Sequence, residues 1–281
     1  MRKKLLKCLL GAFLLFGFQA PAFAQLLITP FHLVMEGRDR SKQLILVNTS
    51  NQTNTYRMEW TQLKQIEGNG GYTLDDSYQE GDNRFLQNFA VYSPRQITIA
   101  PGEKQTVRVA VRRPADLPPG EYMSHLKFHI ISRPEGAKNG EYDPSLKEGE
   151  IKLGIQVRAS YSIPIIYRVG DYDIDVQIGQ PSFVTKEKTG NMGINIPVSR
   201  TGTHGVIGAV KVYHTPNGGE KTLIGELGNA NLFASIDNRI VKVSTQLEGL
   251  SPGIMSVVFN KAEGDTSEHY VMTEKTFPVG N

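Results

Sequence analysis

Few side chains in this chain are placed to do covalent chemistry. His125 and His129 lie four residues apart, in text where Leu126, Phe128 and Ile130 alternate with His125, Lys127 and His129. Alternation puts both imidazoles on the outward face of a strand, further apart than neighbouring positions. With no Cys nearby and no third ligand, a solvated face is expected there rather than zinc, and no metal or other cofactor is assigned. Asp173 and Asp175 fall on one strand face, and nothing marks them as a paired acid and base. The chain lacks a Gly-x-Ser-x-Gly elbow, a phosphate-cradling loop and a Cys nucleophile, so a non-enzymatic role is expected. Asn48-Thr49-Ser50 and Asn51-Gln52-Thr53 match glycosylation sequons and are read as a turn.

The chemistry that remains is non-covalent, and one segment concentrates it. From Ile151 to Tyr167 every second residue is apolar: Ile151, Leu153, Ile155, Val157, Ala159, Tyr161, Ile163, Ile165 and Tyr167. The residues between are mostly small or polar, which is the pattern of a strand with one buried face. At roughly 3.3 Å per residue the run could reach about 55 Å, against roughly 17–20 Å for ordinary strands. A domain of ordinary size cannot bury all of it, so part of an apolar row and of a hydrogen-bonding edge is expected to serve a partner. For Tyr161 to Tyr167 the expectation is a core strand running into a hinge; for Leu153 to Ala159 it is a donor edge.

The surrounding chain sets the compartment. Met1 to Ala24 join Arg2, Lys3, Lys4 and Lys7 to an apolar stretch from Leu9 to Phe18, ending in Ala22-Phe23-Ala24. That is the pattern of a signal peptide over residues 1–24, with a mature chain from Gln25 that is exported and has no membrane anchor. Cys8 is the sole cysteine, so the mature chain is expected to need no disulfide. Four of the 31 basic residues lie in that segment, leaving 27 against 28 acidic ones. A net charge near zero with mixed signs offers no footprint for nucleic acid or an anionic membrane.

Removing 24 residues from 281 leaves 257, enough for two domains. Short alternating runs dominate: Tyr56, Met58, Trp60; Val107, Val109, Val111; Ile194, Ile196, Val198; Val210, Val212; Val241, Val243; Val257, Phe259. Turn residues separate them, and no long amphipathic helical pattern occurs, so the expected class is all-β with two sandwiches. The hinge is placed near Arg168-Val169-Gly170, dividing the chain into 25–168 and 169–281. Arg133 to Glu150 reads as a long loop leading into the unusual strand.

Within the first of these domains the text resembles a known family. Ser93 to Val109 runs through a proline, an alternating strand, the Pro101-Gly102 turn and then Gln105-Thr106-Val107-Arg108. This is similar to the fourth and fifth strands of periplasmic pilus chaperones of the chaperone–usher pathway, the PapD-like superfamily. Leu117 to Tyr122 resembles the opening of their sixth strand, Ile28 to Gly37 their first strand and its turn, and the run ending Ile166-Tyr167-Arg168 their seventh. The second domain offers only compatible strand grammar. Ser162-Ile163-Pro164-Ile165-Ile166 resembles the archaic and alternative branches.

The resemblance implies two immunoglobulin-like β-sandwich domains in a boomerang arrangement, working in the periplasm on pilin (fimbrial) subunits. It implies that the seventh strand completes an unfinished subunit, with Leu153, Ile155, Val157 and Ala159 as the plugs, before delivery to an outer-membrane usher. Strand addition of this kind supplies backbone hydrogen bonds, and each plug of Leu or Val size is worth roughly 1.5–3 kcal/mol. The basic pair that anchors the subunit's carboxylate in well-known members has no clear counterpart. His32 and Pro164 stand at those positions, and free imidazole titrates near 6.5. Arg112, Arg113, Arg158 and His32 are therefore the anchor candidates. Arg168 matches one member of the family's interdomain ionic lock, while Met123 stands where an acid is expected. A secreted immunoglobulin-like adhesin or structural surface module is the alternative, although it would carry its own completing strand. A metal-dependent hydrolase is a poorer third reading.

Overall fold

The computed structural model describes residues 26–82, 84–131, 160–185, 190–263, 265 and 268–280. The chain is all-β, with two immunoglobulin-like sandwiches in sequence order. The strands of the first half are β1 (Leu26–Thr29), β2 (Leu33–Met35), β3 (Ser41–Asn48), β4 (Asn54–Thr61), β5 (Leu63–Gln65), β6 (Tyr72–Leu74), β7 (Ala90–Ser93), β8 (Gln96–Ile99), β9 (Lys104–Val111), β10 (Gly120–Ile130) and β11 (Ser160–Val169). Those of the second are β12 (Asp175–Ile178), β13 (Ser182–Thr185), β14 (Met192–Thr201), β15 (Gly208–Pro216), β16 (Thr222–Leu227), β17 (Asn238–Ser244), β18 (Gly253–Lys261) and β19 (Thr273–Val279).

The first sandwich sets the sheet β1-β3-β9-β7 against β2-β11-β10-β4-β8. Each sheet sends its alternate apolar residues inward. Leu44, Leu46, Val107 and Val109 come from one side, and Tyr56, Met58, Leu126, Phe128 and Ile165 from the other. Pro101-Gly102 makes the turn between β8 and β9, where Gly102 takes φ +74° and the Glu103 amide donates to the Ala100 carbonyl at 3.1 Å. Pro at the second turn position and a positive-φ Gly at the third are the residues that turn type demands. The text read as one opening strand, Ile28 to Gly37, is split. β1 pairs with β3, and after Pro30 the chain crosses to the other sheet, where β2 runs parallel to β11.

The second sandwich packs β12, β13 and β17 around β14 on one side and β16-β15-β18-β19 on the other. Its core repeats the same logic with Ile194, Ile196, Val241 and Val243 facing Val210, Val212, Val257 and Phe259. Between the sandwiches lies a third apolar cluster of Val34, Ile166, Ile207, Ala209, Phe233 and Ala262. The β5–β6 hairpin forms a small sheet of its own.

Candidate functional site: a strand edge and the joint beside it

The two ends of β11 differ in what they pair with. It pairs antiparallel with β10 from Ser160↔His129 to Val169↔Gly120, but with β2 only over Ile165 to Tyr167. From Ser160 to Pro164 its other edge has no partner strand among the described residues. Ser160 and Ser162 are exposed, whereas Ile163 to Val169 are buried on both faces. Ile163, Ile165 and Tyr167 enter the first core, and Ile166 enters the cluster between the sandwiches. The stretch expected to be core and hinge is packed as such from Ile163 onward. Leu153, Ile155, Val157, Ala159 and Arg158, and the loop from Arg133 to Glu150, lie outside the described residues.

Arg168 follows on the inter-sandwich face of β11 and holds the joint. It donates from Nη1 to Glu36 Oε1 at 2.7 Å, from Nε to Glu121 Oε2 at 3.1 Å and from Nη2 to the Gly205 carbonyl at 3.1 Å. The second oxygen of each acid accepts an amide of the second sandwich: Glu36 Oε2 from Glu268 at 2.9 Å, Glu121 Oε1 from Ala234 at 3.2 Å. Tyr172 lies against the guanidinium, 4.8 Å from its ring centre. Burial pushes the Glu36 carboxyl up, but the hydrogen bonds from Arg168 and the Glu268 amide outweigh it and hold it below the usual carboxylate range. A buried charge is tolerable only when paired and hydrogen-bonded in this way. Where Met123 stood in the place of an expected acid, the acid is Glu121, two residues earlier on the same strand face, and Glu36 adds a second.

The β5–β6 hairpin closes the other side of the joint. The Gln65 side chain, buried, donates to the Asn231 carbonyl at 3.1 Å and accepts from the Phe233 amide at 2.8 Å. At the hairpin tip Gly68 exchanges backbone hydrogen bonds with Asn238 and Ile240. None of these residues has a pattern that flags it in the sequence.

His32 packs edge-on against Phe233, with ring centres 6.1 Å apart. Its Nε2 lies 2.8 Å from Asn231 Nδ2, and Asn231 Oδ1 accepts from the Gly208 amide at 3.1 Å. With Asn231 oriented by Gly208, His32 Nε2 must accept, so the ring is neutral there. Burial lowers its pKa, although Asp265 pulls the other way. An ionic anchor for a carboxylate at His32 would require the imidazolium, which burial disfavours.

His125 corrects the expectation of a solvated histidine face. It is 2% exposed and stacks edge-on against Tyr72, with ring centres 5.6 Å apart. Neither ring nitrogen has a hydrogen-bond partner among the described residues. Burial, with His32 adding a smaller push, takes its pKa down to about 4. The hairpin, invisible to a strand-by-strand reading, covers what alternation alone assigns to solvent. His129 is half-buried, its Nδ1 3.8 Å from Glu59. Among the described residues no group of three or more His, Cys, Asp or Glu could hold a metal.

Arg112 and Arg113 form no ion pair with the joint's acids and are exposed just past β9. They line a surface hollow with Arg38 and Arg40, which the sequence reading did not single out.

No family model and no curated protein sequence matches the chain. Solved structures with a similar chain path include the CupB2 chaperone of Pseudomonas aeruginosa, at 9% identity and TM-score 0.43, over 90% of this chain and 100% of that one. The CsuC–CsuE chaperone–tip adhesion subunit pre-assembly complex from archaic chaperone–usher Csu pili of Acinetobacter baumannii contains another. It has 13% identity and TM-score 0.43, over 89% and 98% of the two chains. The E. coli chaperone DraB matches at 11% identity and TM-score 0.42, over 90% and 95%. At these identities and scores the likeness carries no argument about function.

Proposed function

We propose that this protein is a periplasmic chaperone that binds and caps pilin subunits by lending them a strand, and then delivers them to an outer-membrane usher. The observation that carries the reading is the edge of β11 from Ser160 to Pro164, along which no second strand is paired among the described residues. It is reached in sequence through the row Leu153, Ile155, Val157 and Ala159. An incoming unfinished sandwich would pair its backbone with such an edge and take the alternate apolar side chains into its own core. Four plugs at roughly 1.5–3 kcal/mol each would hold a subunit, and a better-fitting strand could still displace them. The joint behind the edge fits this role, because Arg168 and its two acids fix the base of the same strand while its start stays available. In this reading residues 1–24 are an export signal, 25–168 is the subunit-binding domain and 169–281 the second domain. Arg112 and Arg113 are the described candidates for anchoring a subunit's terminal carboxylate; Arg158 and His32 complete that set. No catalytic step is assigned to the chain.

The test is co-purification of the mature chain with its candidate pilin from a periplasm, compared with Ile155→Asp/Val157→Asp. Loss of the complex from a variant whose circular dichroism is unchanged is the expected result. Undiminished co-purification would sink the donor-strand reading and favour a surface module.

A further inference from the structure

Arg38, Arg40, Arg112 and Arg113 line one hollow of about 680 Å³ on the first sandwich, floored by the buried Val111 and Tyr167. Two separate stretches of backbone place the four arginines around it, and both are pinned. The Val111 amide donates to the Arg40 carbonyl at 2.9 Å, and the Arg112 amide donates to the Phe89 carbonyl at 2.8 Å. The turn carrying Arg38 is closed by Asp39, whose amide donates to the Glu36 carbonyl at 3.0 Å and whose Oδ2 accepts from the Glu36 amide at 3.1 Å. Gly37, at φ +56°, supplies the left-handed residue this turn needs. Asp39, the sole acid of the lining, is also held by Lys42 Nζ at 2.9 Å. Among the described residues none of the four arginines has a side-chain hydrogen bond or ion pair. The hollow is thus lined by four arginines with which no described acid pairs.

We infer that this hollow is a docking site for an acidic peptide segment, one presenting several carboxylates in succession. A single carboxylate offers about four acceptor positions and can occupy one or two guanidinium forks, not four. A volume of this size lies in the range, roughly 300–1,000 Å³, of sites that take ligands of many atoms rather than one small anion. Arginine forks match carboxylates in paired hydrogen bonds, and fixed backbones lower the ordering cost of closing on the ligand. The site rests on the placement of these side chains and not on the strand-lending reading. Either can fail alone.

The probe is a fluorescein-labelled hexaglutamate peptide, followed by anisotropy against the full mature chain at low and at high salt. Binding at low salt that weakens at high salt is expected, with inorganic pyrophosphate competing only weakly. Arg112→Gln/Arg113→Gln and Arg38→Gln/Arg40→Gln should each weaken binding by about tenfold or more. Lys104→Gln/Lys242→Gln removes the same charge from exposed positions elsewhere and, compared at about 0.1 M salt where the Debye length is about 10 Å, should leave it within about twofold. All variants are checked for unchanged melting. Absence of binding at low salt, equal losses in the two kinds of variant, or tight pyrophosphate binding without peptide binding would each overturn the assignment. Pilin co-purification with Arg112→Gln/Arg113→Gln reports separately on a carboxylate anchor.

Discussion

Among the described residues, β11 pairs with one strand at its start; at its end it is held by β10, by β2 and by the second sandwich. From Ser160 to Ser162 no second strand is paired to β11 among the described residues and the serines are in solvent, while Ile165 to Val169 are buried on both faces. The same alternating text runs through both. Alternation reports that one face of a strand is apolar, and it is silent about what covers the other face. At the end of β11 the alternate face carries Ile166 into the apolar cluster and Arg168 into the ionic one. Fixation is thereby confined to one part of the strand: the end is locked, and along the start no strand pairs with the other edge among the described residues.

The largest effect expected from breaking this contrast is at Arg168. Arg168→Ala leaves Glu36 and Glu121 buried without their cation, and loss of one member of a buried ion pair costs about 3–5 kcal/mol. Urea unfolding should register this as a lower midpoint. Arg168→Met combined with Glu36→Gln and Glu121→Gln removes every charge of the cluster and should recover much of the loss. A loss below about 1 kcal/mol for Arg168→Ala would place the cluster with ordinary exposed salt bridges and remove the locked end of the comparison.

What could be read in advance follows the same division. The apolar rows of β4, β9, β14, β15, β17 and β18, and the Pro101-Gly102 turn, were legible because period and turn chemistry are local properties. Arg168 was legible as a member of a lock, but its acids were not. Glu36 and Glu121 lie 132 and 47 residues away in sequence, and no spacing rule connects them. The β5–β6 hairpin was missed for another reason. Leu63–Gln65 and Tyr72–Leu74 are each three residues long, too short to show a period, and Gln65 binds partners 166 and 168 residues on. His125 was assigned to solvent because the element that buries it could not be seen. Arg38 and Arg40 belong to a turn whose neighbour, the end of β9, is brought close only by sheet pairing.

The buried histidine offers the next largest effect, as a dependence on pH. The pKa of His125 lies near 4 in the folded chain against 6.5 for the free side chain. The unfolded chain therefore binds the proton more tightly. Stability is full above about pH 6.5, falls as the pH drops, and levels once both states are protonated near pH 4. The whole shift corresponds to about 3 kcal/mol, of which about 2 kcal/mol should be gone by about pH 5. The groups facing the ring are His32, Tyr72 and, through His32, Asp265. His32 adds to the loss in the same window because its own pKa is lowered. Urea midpoints at about pH 7.5 and 5 should separate clearly for the parent chain and much less for His125→Phe. Equal separations would mean that the hairpin does not shield this ring.

A smaller effect is expected at Gly205, whose carbonyl serves both Arg168 and Tyr172. A Cβ there would fall onto the Glu121 carboxylate and the backbone of Phe233 and Ala234. Overpacking of a close-packed site costs about 1–3 kcal/mol, so Gly205→Ala should lower the unfolding midpoint by that amount. It should also shift the loss in Arg168→Ala, because the two sites share one network and their effects will not add. Simple additivity in the double variant would mean that the Gly205 backbone is independent of the ionic cluster.

The smallest effect should be at the start of β11. Ser162 is exposed, and across the β10 pairing it faces Lys127, so Ser162→Asp buries no charge and gains a mild cross-strand attraction. Its unfolding free energy should stay within about 0.5 kcal/mol of the parent, as expected of an exposed position outside any network. Lys127 already pairs with Glu59 at 3.0 Å, which further limits what the new carboxylate can gain. A destabilisation of more than about 2 kcal/mol would be of the size seen for core positions and would mean that the start is packed as closely as the end. In that case the edge would already be occupied within the chain itself, and the contrast between the two ends of β11 would be lost.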